Sequence, residues 1–189
     1  MTRARAVAGH DGFGTEAWRA IGDIIALPRD PIKVAAKVRA MRELVAREKG
    51  DQDPWDVKLA AGGLTDIDFL AQAITLAHAA THPSLIGLST EATITEAAKT
   101  GLLDESDAGV LIEAHTLLND TFHWQRLTIE GPFDAATIPT AILRRLANAL
   151  GRPDSSTLLE DLREAQRSVR AIFAKRLETL SGPSRGRQA

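Results

Sequence analysis

Cysteine and tyrosine are absent from this 189-residue chain, and aromatic residues make up only 4% of it, as three Trp and five Phe. The missing cysteines exclude disulfides, thiolate metal ligands and a cysteine nucleophile, and with them the usual staples of a small secreted domain. A cytoplasmic, reducing compartment is the expectation. Long apolar runs are lacking too: no stretch of about 18 apolar residues occurs, and MTRARAVAGH has no signal-peptide core, so neither a membrane span nor a targeting segment is expected. Nor does charge of one sign dominate. Lys and Arg total 23 against 25 Asp and Glu, a formal net charge of -2, with pI near 6.2. There is then no global drive toward nucleic acid or anionic lipid, and neither is expected as a partner. Hydrophobic residues at 44% and charged residues at 25% fit a folded domain of ordinary composition, long enough to bury a core.

What is present is Ala and Leu at spacings of three and four, with no alternating strand pattern to compete. The expected fold class is all-α, a helical bundle of six to seven helices. Residues 1–14, with Gly9, Gly12 and Gly14, read as an extended leader, 15–180 as the bundle and 181–189 as a flexible tail. Helices are expected at Thr15 to Leu27, Pro31 to Lys49, Thr65 to Ala80, Thr90 to Thr100, Asp104 to Ile129, Ala135 to Leu150 and Thr157 to Leu180. The second shows an apolar stripe of Val34, Val38, Met41 and Val45. Pro54 and Gly62-Gly63 make Gly50 to Gly63 an irregular connection, and Thr157 with Glu160 has capping-box spacing.

The most informative stretch is KLAAGGLTDIDFLAQ, Lys58 to Gln72. Its helix is apolar over most of its circumference and should be largely buried, apart from a polar stripe of Thr65, Asp68, Gln72 and Thr75. Two readings stay open. In one, Thr65 caps the helix, Asp68 reciprocates as the third-position acid, Asp66 complements the dipole and the glycines make a turn. In the other, the diglycine lets the backbone approach another surface closely while Lys58 and the acids share a polar cleft.

The order Lys58, Gly62-Gly63-Leu64, Asp66-Ile67-Asp68-Phe69, Gln72 resembles the signature of glutamine synthetase adenylyltransferase. Thr2 to Gly9, Met41-Arg42, His78 to Leu85, Thr90, Gly101-Leu102-Leu103 and Leu117-Leu118 follow the order of the same family, so the resemblance covers Thr2 to about Leu180. It departs in two places: the family usually has Glu where Asp68 stands and a large or basic residue where Thr65 stands. A shorter acid reaches about 1.5 Å less far. The family's catalytic element, a Gly-Ser followed by spaced aspartates that hold magnesium, does not occur here.

The resemblance therefore implies the C-terminal helical domain of the adenylylating half, following an absent N-terminal nucleotidyltransferase domain. For the full enzyme it implies transfer of AMP from ATP to a tyrosine of glutamine synthetase, with magnesium, under control of glutamine and the PII protein. The fragment itself is expected to be inactive and to hold neither a cofactor nor a metal, with no catalytic residue assigned. Lys58, Gly62, Gly63, Asp66, Asp68 and Gln72 are the residues expected at an interdomain or cleft-facing surface, and Arg3 and Arg5 at the domain junction. Met1 directly before sequence resembling mid-protein sequence implies a piece cut from a longer enzyme or a standalone remnant, and the stretch after Leu180 a natural C-terminus. The alternative is a standalone, non-catalytic module binding glutamine synthetase or PII. A domain of the related PII uridylyltransferase ranks lower, given the Asp-Ile-Asp-Phe-Leu-Ala-Gln run.

Other candidates favour structural readings. His78 and His82, four apart, suit zinc by spacing but lack a nearby third ligand. His115 and His123 have no motif-bound serine to pair with. The arginines of the last helix, Arg163, Arg167 and Arg170, are interspersed with Glu160, Asp161 and Glu164 as on a solvated face. Trp55, in the loop beside Pro54, is expected to seal the bundle beneath that loop, the alternative being a partner anchor.

Overall fold

The structure, a computed structural model, describes Thr2, residues 11–131 and residues 133–182. Among these residues there are seven α-helices, one short 3-10 turn and no strand, so the chain is the all-α helical bundle that its apolar spacing implies. The helices are α1 (Asp11–Ile25), α2 (Pro31–Lys49), α3 (Leu64–His78), α4 (Thr90–Lys99), α5 (Glu105–Thr128), α6 (Thr140–Ala149) and α7 (Ser155–Leu180), with the 3-10 turn at Pro83–Leu85. None of the described helices is long and apolar enough to cross a membrane.

Local chemistry explains where the elements depart from the sequence reading. Helix α1 begins at Asp11, so the end of the expected 1–14 leader is helical. Gly14 falls in phase with Ala17, Ile21 and Ile25, the less exposed positions of α1, and this shared inward face outweighs a glycine penalty of about 1 kcal/mol. At its far end the Arg29 guanidinium donates to the carbonyls of Ile24 and Ile25 at 2.7 Å and of Leu27 at 2.9 Å. Of these carbonyls that of Ile24 also accepts from the Leu27 amide at 3.4 Å, and satisfying them closes α1 at Ile25, two residues before the expected stop.

Helix α2 has the expected bounds, with the Ile32 amide donating to Asp30 Oδ1 at 2.9 Å at its start. Its inward stripe differs: Met41 is 49% exposed and Arg42 only 3%. Positions 34, 38, 42 and 45 keep the helical period, and an arginine occupies the third of them. Helix α6 starts at Thr140 instead of Ala135, because Pro139 bars Ile138 from helical geometry and itself sits extended at φ -54°, ψ 133°. Helix α7 is capped by Asp154, which accepts from the Thr157 amide at 2.8 Å and the Ser156 hydroxyl at 2.6 Å, so the expected Thr157–Glu160 box does not form the cap. Of the expected 181–189 tail, Ser181 still bonds back to the Leu177 carbonyl at 3.1 Å, and residues 183–189 lie outside the described residues.

Within the described residues the chain divides into two compact units. One draws on the segments up to Ala40, from Asp68 to Ala108 and from Lys175 onward; the other on Met41–Ile67 and Gly109–Ala174. The first buries Ile25, Leu70, Ile74, Leu85, Ile94 and Leu177; the second buries Val57, Ile67, Leu111, Leu118, Leu158 and Leu162. Each of these side chains removes enough apolar surface from water to contribute about 1.5–3 kcal/mol. Helical spacing along one sequence says which face of a helix turns inward and not which helices share a core, so the division was not readable from it.

Candidate functional site

Among the described residues, the second unit holds a long irregular segment pinned from several sides, the loop 50–63 between α2 and α3. Trp55, Val57 and Ala60 bury their side chains, which takes the loop backbone out of water, so its polar groups must find partners. Gln125 on α5 supplies one, donating from Nε2 to the Trp55 carbonyl at 2.9 Å, and Gln166 on α7 donates to the Pro54 carbonyl at 2.8 Å. Trp55 is itself 8% exposed, its ring 5.7 Å from that of Phe133, as expected of a residue sealing the loop. The loop in turn completes the start of α3: the amides of Leu64 and Thr65 donate to the carbonyls of Val57 and Lys58 at 2.9 and 3.0 Å. With these orphan amides already satisfied, α3 begins at Leu64 and Thr65 is not its cap.

The diglycine is where loop and helix meet most closely. Gly62 has φ +84°, and a Cβ placed on it would lie 1.8 Å from the Gln166 carbonyl oxygen of α7. A Cβ on Gly63 would lie 2.7 Å from the Val57 carbonyl oxygen. Both positions thus exclude a side chain, Gly62 on conformational grounds as well.

Asp66, in the first turn of α3, is fully buried and Arg42 is 3% exposed. One carboxylate oxygen of Asp66 accepts from Arg42 Nε, and the other accepts from the Gly62 amide at 2.6 Å. The Arg42 Nη2 donates onward to the carbonyls of Leu59 and Ala60 at 3.1 and 3.2 Å and lies 3.6 Å from Asp51. Arg170 of α7 adds a second cation 3.5 Å from Asp66. A buried carboxylate is tolerable only with such partners, and removing one member of the pair would leave the other charged and unmatched at a cost of about 3–5 kcal/mol. Arg42 was missing from the sequence-expected site; its signal is an arginine falling in phase with Val34, Val38 and Val45.

The six residues expected at one cleft are therefore distributed. Asp66 turns inward to Arg42 and does not face an open cleft, because its charge is stable only where that guanidinium and the Gly62 amide reach it. Gly62 and Gly63 are buried in the turn beside it. Lys58 is exposed, its ammonium 5.9 Å from the Phe122 ring centroid. Asp68 and Gln72 belong to the first unit and are half-buried, and Asp68 accepts from the Thr90 hydroxyl of α4 at 2.7 Å instead of capping near Thr65. Two residues apart on a helix, Asp66 and Asp68 point about 200° apart around the axis. They cannot converge on one magnesium ion, and among the described residues no group of three or more His, Cys, Asp or Glu is placed to hold a metal. Arg3 and Arg5 lie outside the described residues.

What the pinned loop does form is a wall. A cleft of about 620 Å³ lies between it and α7, lined on the loop side by Asp51, Pro54, Ala60 and Ala61 and on the helix side by Arg163, Gln166, Arg167 and Arg170. In the first unit the rings of His78 and His82 meet edge to face at 6.2 Å, and burial, then the neighbouring His82 and Arg176, lower the His78 pKa.

A family model described as GlnD PII-uridylyltransferase matches residues 34–177, which take in Arg42, the pinned loop, all of α3 and most of α7. Among curated proteins, the bifunctional glutamine synthetase adenylyltransferase/adenylyl-removing enzyme of Rhodopseudomonas palustris (strain BisB5) is 41% identical over 173 residues, 92% of this chain and 18% of that protein. The enzyme of the same name from Xanthobacter autotrophicus is 39% identical over 95% of this chain and 18% of its own length. That of Bradyrhizobium diazoefficiens is 39% identical over 97% and 18%. This chain spans 18% of the length of these relatives.

Proposed function

The chain belongs to the GlnD PII-uridylyltransferase family, and from that premise we propose that it serves as a helical, non-transferring domain of a glutamine synthetase adenylyltransferase, the C-terminal one. The observation that carries this reading is the identity of 39–41% to adenylyltransferases over more than nine-tenths of the chain. In this role a separate nucleotidyltransferase domain binds ATP and magnesium and moves AMP to glutamine synthetase in the cytoplasm, with PII as regulator. The helical domain supplies a rigid wall beside it. The α3 acids fit that division of labour: Asp66 is matched by Arg42 and Asp68 turns to Thr90, so the two are not paired on one metal ion. The exposed Lys58 and the half-buried Gln72 are the residues assigned to the interdomain surface. Membership of the GlnD PII-uridylyltransferase family favours a second reading, a domain of a PII uridylyltransferase, against which the adenylyltransferase relatives weigh.

A domain exchange tests the proposal. The homologous 173 residues of the Rhodopseudomonas palustris enzyme are replaced by this chain, and AMP transfer from labelled ATP to glutamine synthetase is measured. The chimera should retain transfer and the isolated chain should show none. A folded chimera that modifies PII with UMP but leaves glutamine synthetase untouched would select the second reading, and turnover by the isolated chain would overturn both.

A further inference from the structure

Arg163, Arg167 and Arg170 stand at positions i, i+4 and i+7 of α7, so their guanidiniums line one edge of the cleft over a rise of about 10.5 Å. The acids interspersed with them suggest an ordinary solvated face, but the pairing is incomplete. Arg163 has no ion pair among the described residues, and Arg167 pairs only with the exposed Glu164, a contact weak in water. Arg170 stands over the Phe173 ring and faces Asp66, a carboxylate already matched by Arg42. The single acid among the lining residues, Asp51, lies 3.6 Å from Arg42. With Arg42 matched to Asp66, the three cleft guanidiniums meet Asp51 and the exposed Glu164, which leaves the edge net positive, in a cleft of the volume typical for small-molecule sites.

We propose that this cleft binds a small phosphate-bearing molecule, a diphosphate or triphosphate group lying along the arginine edge. Guanidinium forks match phosphate oxygens two at a time, and a row spaced by helical turns suits several linked phosphates better than a single one. Ala60, Ala61, Pro54 and Ala171 on the remaining walls leave room for an uncharged portion and place no aromatic ring for stacking a base. The occupant is therefore read by its phosphates. The proposal rests on the cleft's own residues and does not depend on the reading of the chain as part of an adenylyltransferase.

Isothermal titration of the full chain with inorganic tripolyphosphate tests it, with Arg163→Ala, Arg167→Ala and, as a control outside the cleft, the exposed Arg145→Ala on α6. Saturable one-to-one binding should weaken about tenfold or more in each of the first two variants and remain unchanged in Arg145→Ala, with melting curves unaltered, since all three arginines are exposed. No saturable binding, or an equal loss in Arg145→Ala, overturns the proposal. Tighter binding of a hexaglutamate peptide than of tripolyphosphate also overturns it, in favour of an acidic polypeptide as the occupant.

Discussion

Each unit of the chain contains a charge network, and the two differ in little but burial. In the second, Arg42 and Asp66 are 3% and 0% exposed; in the first, Lys175 bridges Asp104 and Asp107 at 2.7 and 2.9 Å with the lysine 55% exposed. The buried network is a requirement of the loop: Arg42 and Asp66 have given up water, so each depends on the other. The exposed network trades one set of water contacts for another and sets little beyond local geometry. The residues that look most like chemistry in the sequence, an acid pair after a diglycine, thus include one whose main work is to fasten a loop.

That contrast can be broken from its strong side first. Asp66→Ala strands the Arg42 charge and should lower unfolding free energy by about 3–5 kcal/mol in urea titration. Gly62→Ala comes next: a non-glycine residue at φ +84° costs about 1–3 kcal/mol before the collision with the Gln166 carbonyl, and the loss should be visible in the same assay. Asp68→Ala removes a part-buried bond from Thr90 and should cost about 0.5–1.5 kcal/mol. Smallest is Lys175→Ala, whose effect should appear mainly as a change in pH dependence. Lys175, by hydrogen bond and charge, holds the Asp104 carboxyl below its ordinary value of 3.8. A depressed carboxylate pKa contributes stability above the unfolded value and loses it as pH falls through the folded one. Acid unfolding followed by circular dichroism below about pH 4 should therefore begin at higher pH in Lys175→Ala; an identical curve would show that the bridge carries nothing.

The fold class and the bounds of α2 were legible because they depend on apolar spacing and on Pro31, which are local. The start of α6 was not, since Pro139 had to be weighed against an apolar run that continued through it. Nor was the fate of the acids. Asp66 and Asp68 have the same chemistry and are two residues apart, and what separates them is that Arg42, 24 positions away, meets one of them. Half of that contact was written in the sequence as an arginine in the period of a buried stripe. The other half, the close approach of Gly62 to α7, depends on tertiary packing that spacing does not report.

The most direct test of the clamp is a double-mutant cycle on Arg42→Met and Asp66→Leu, measured by urea unfolding. Each single variant should lose about 3–5 kcal/mol while the double variant loses clearly less than their sum, because two matched apolar side chains replace a pair that fails only when split. Single losses below about 1 kcal/mol that simply add would contradict it and return Asp66 to the list of acids free to face a partner.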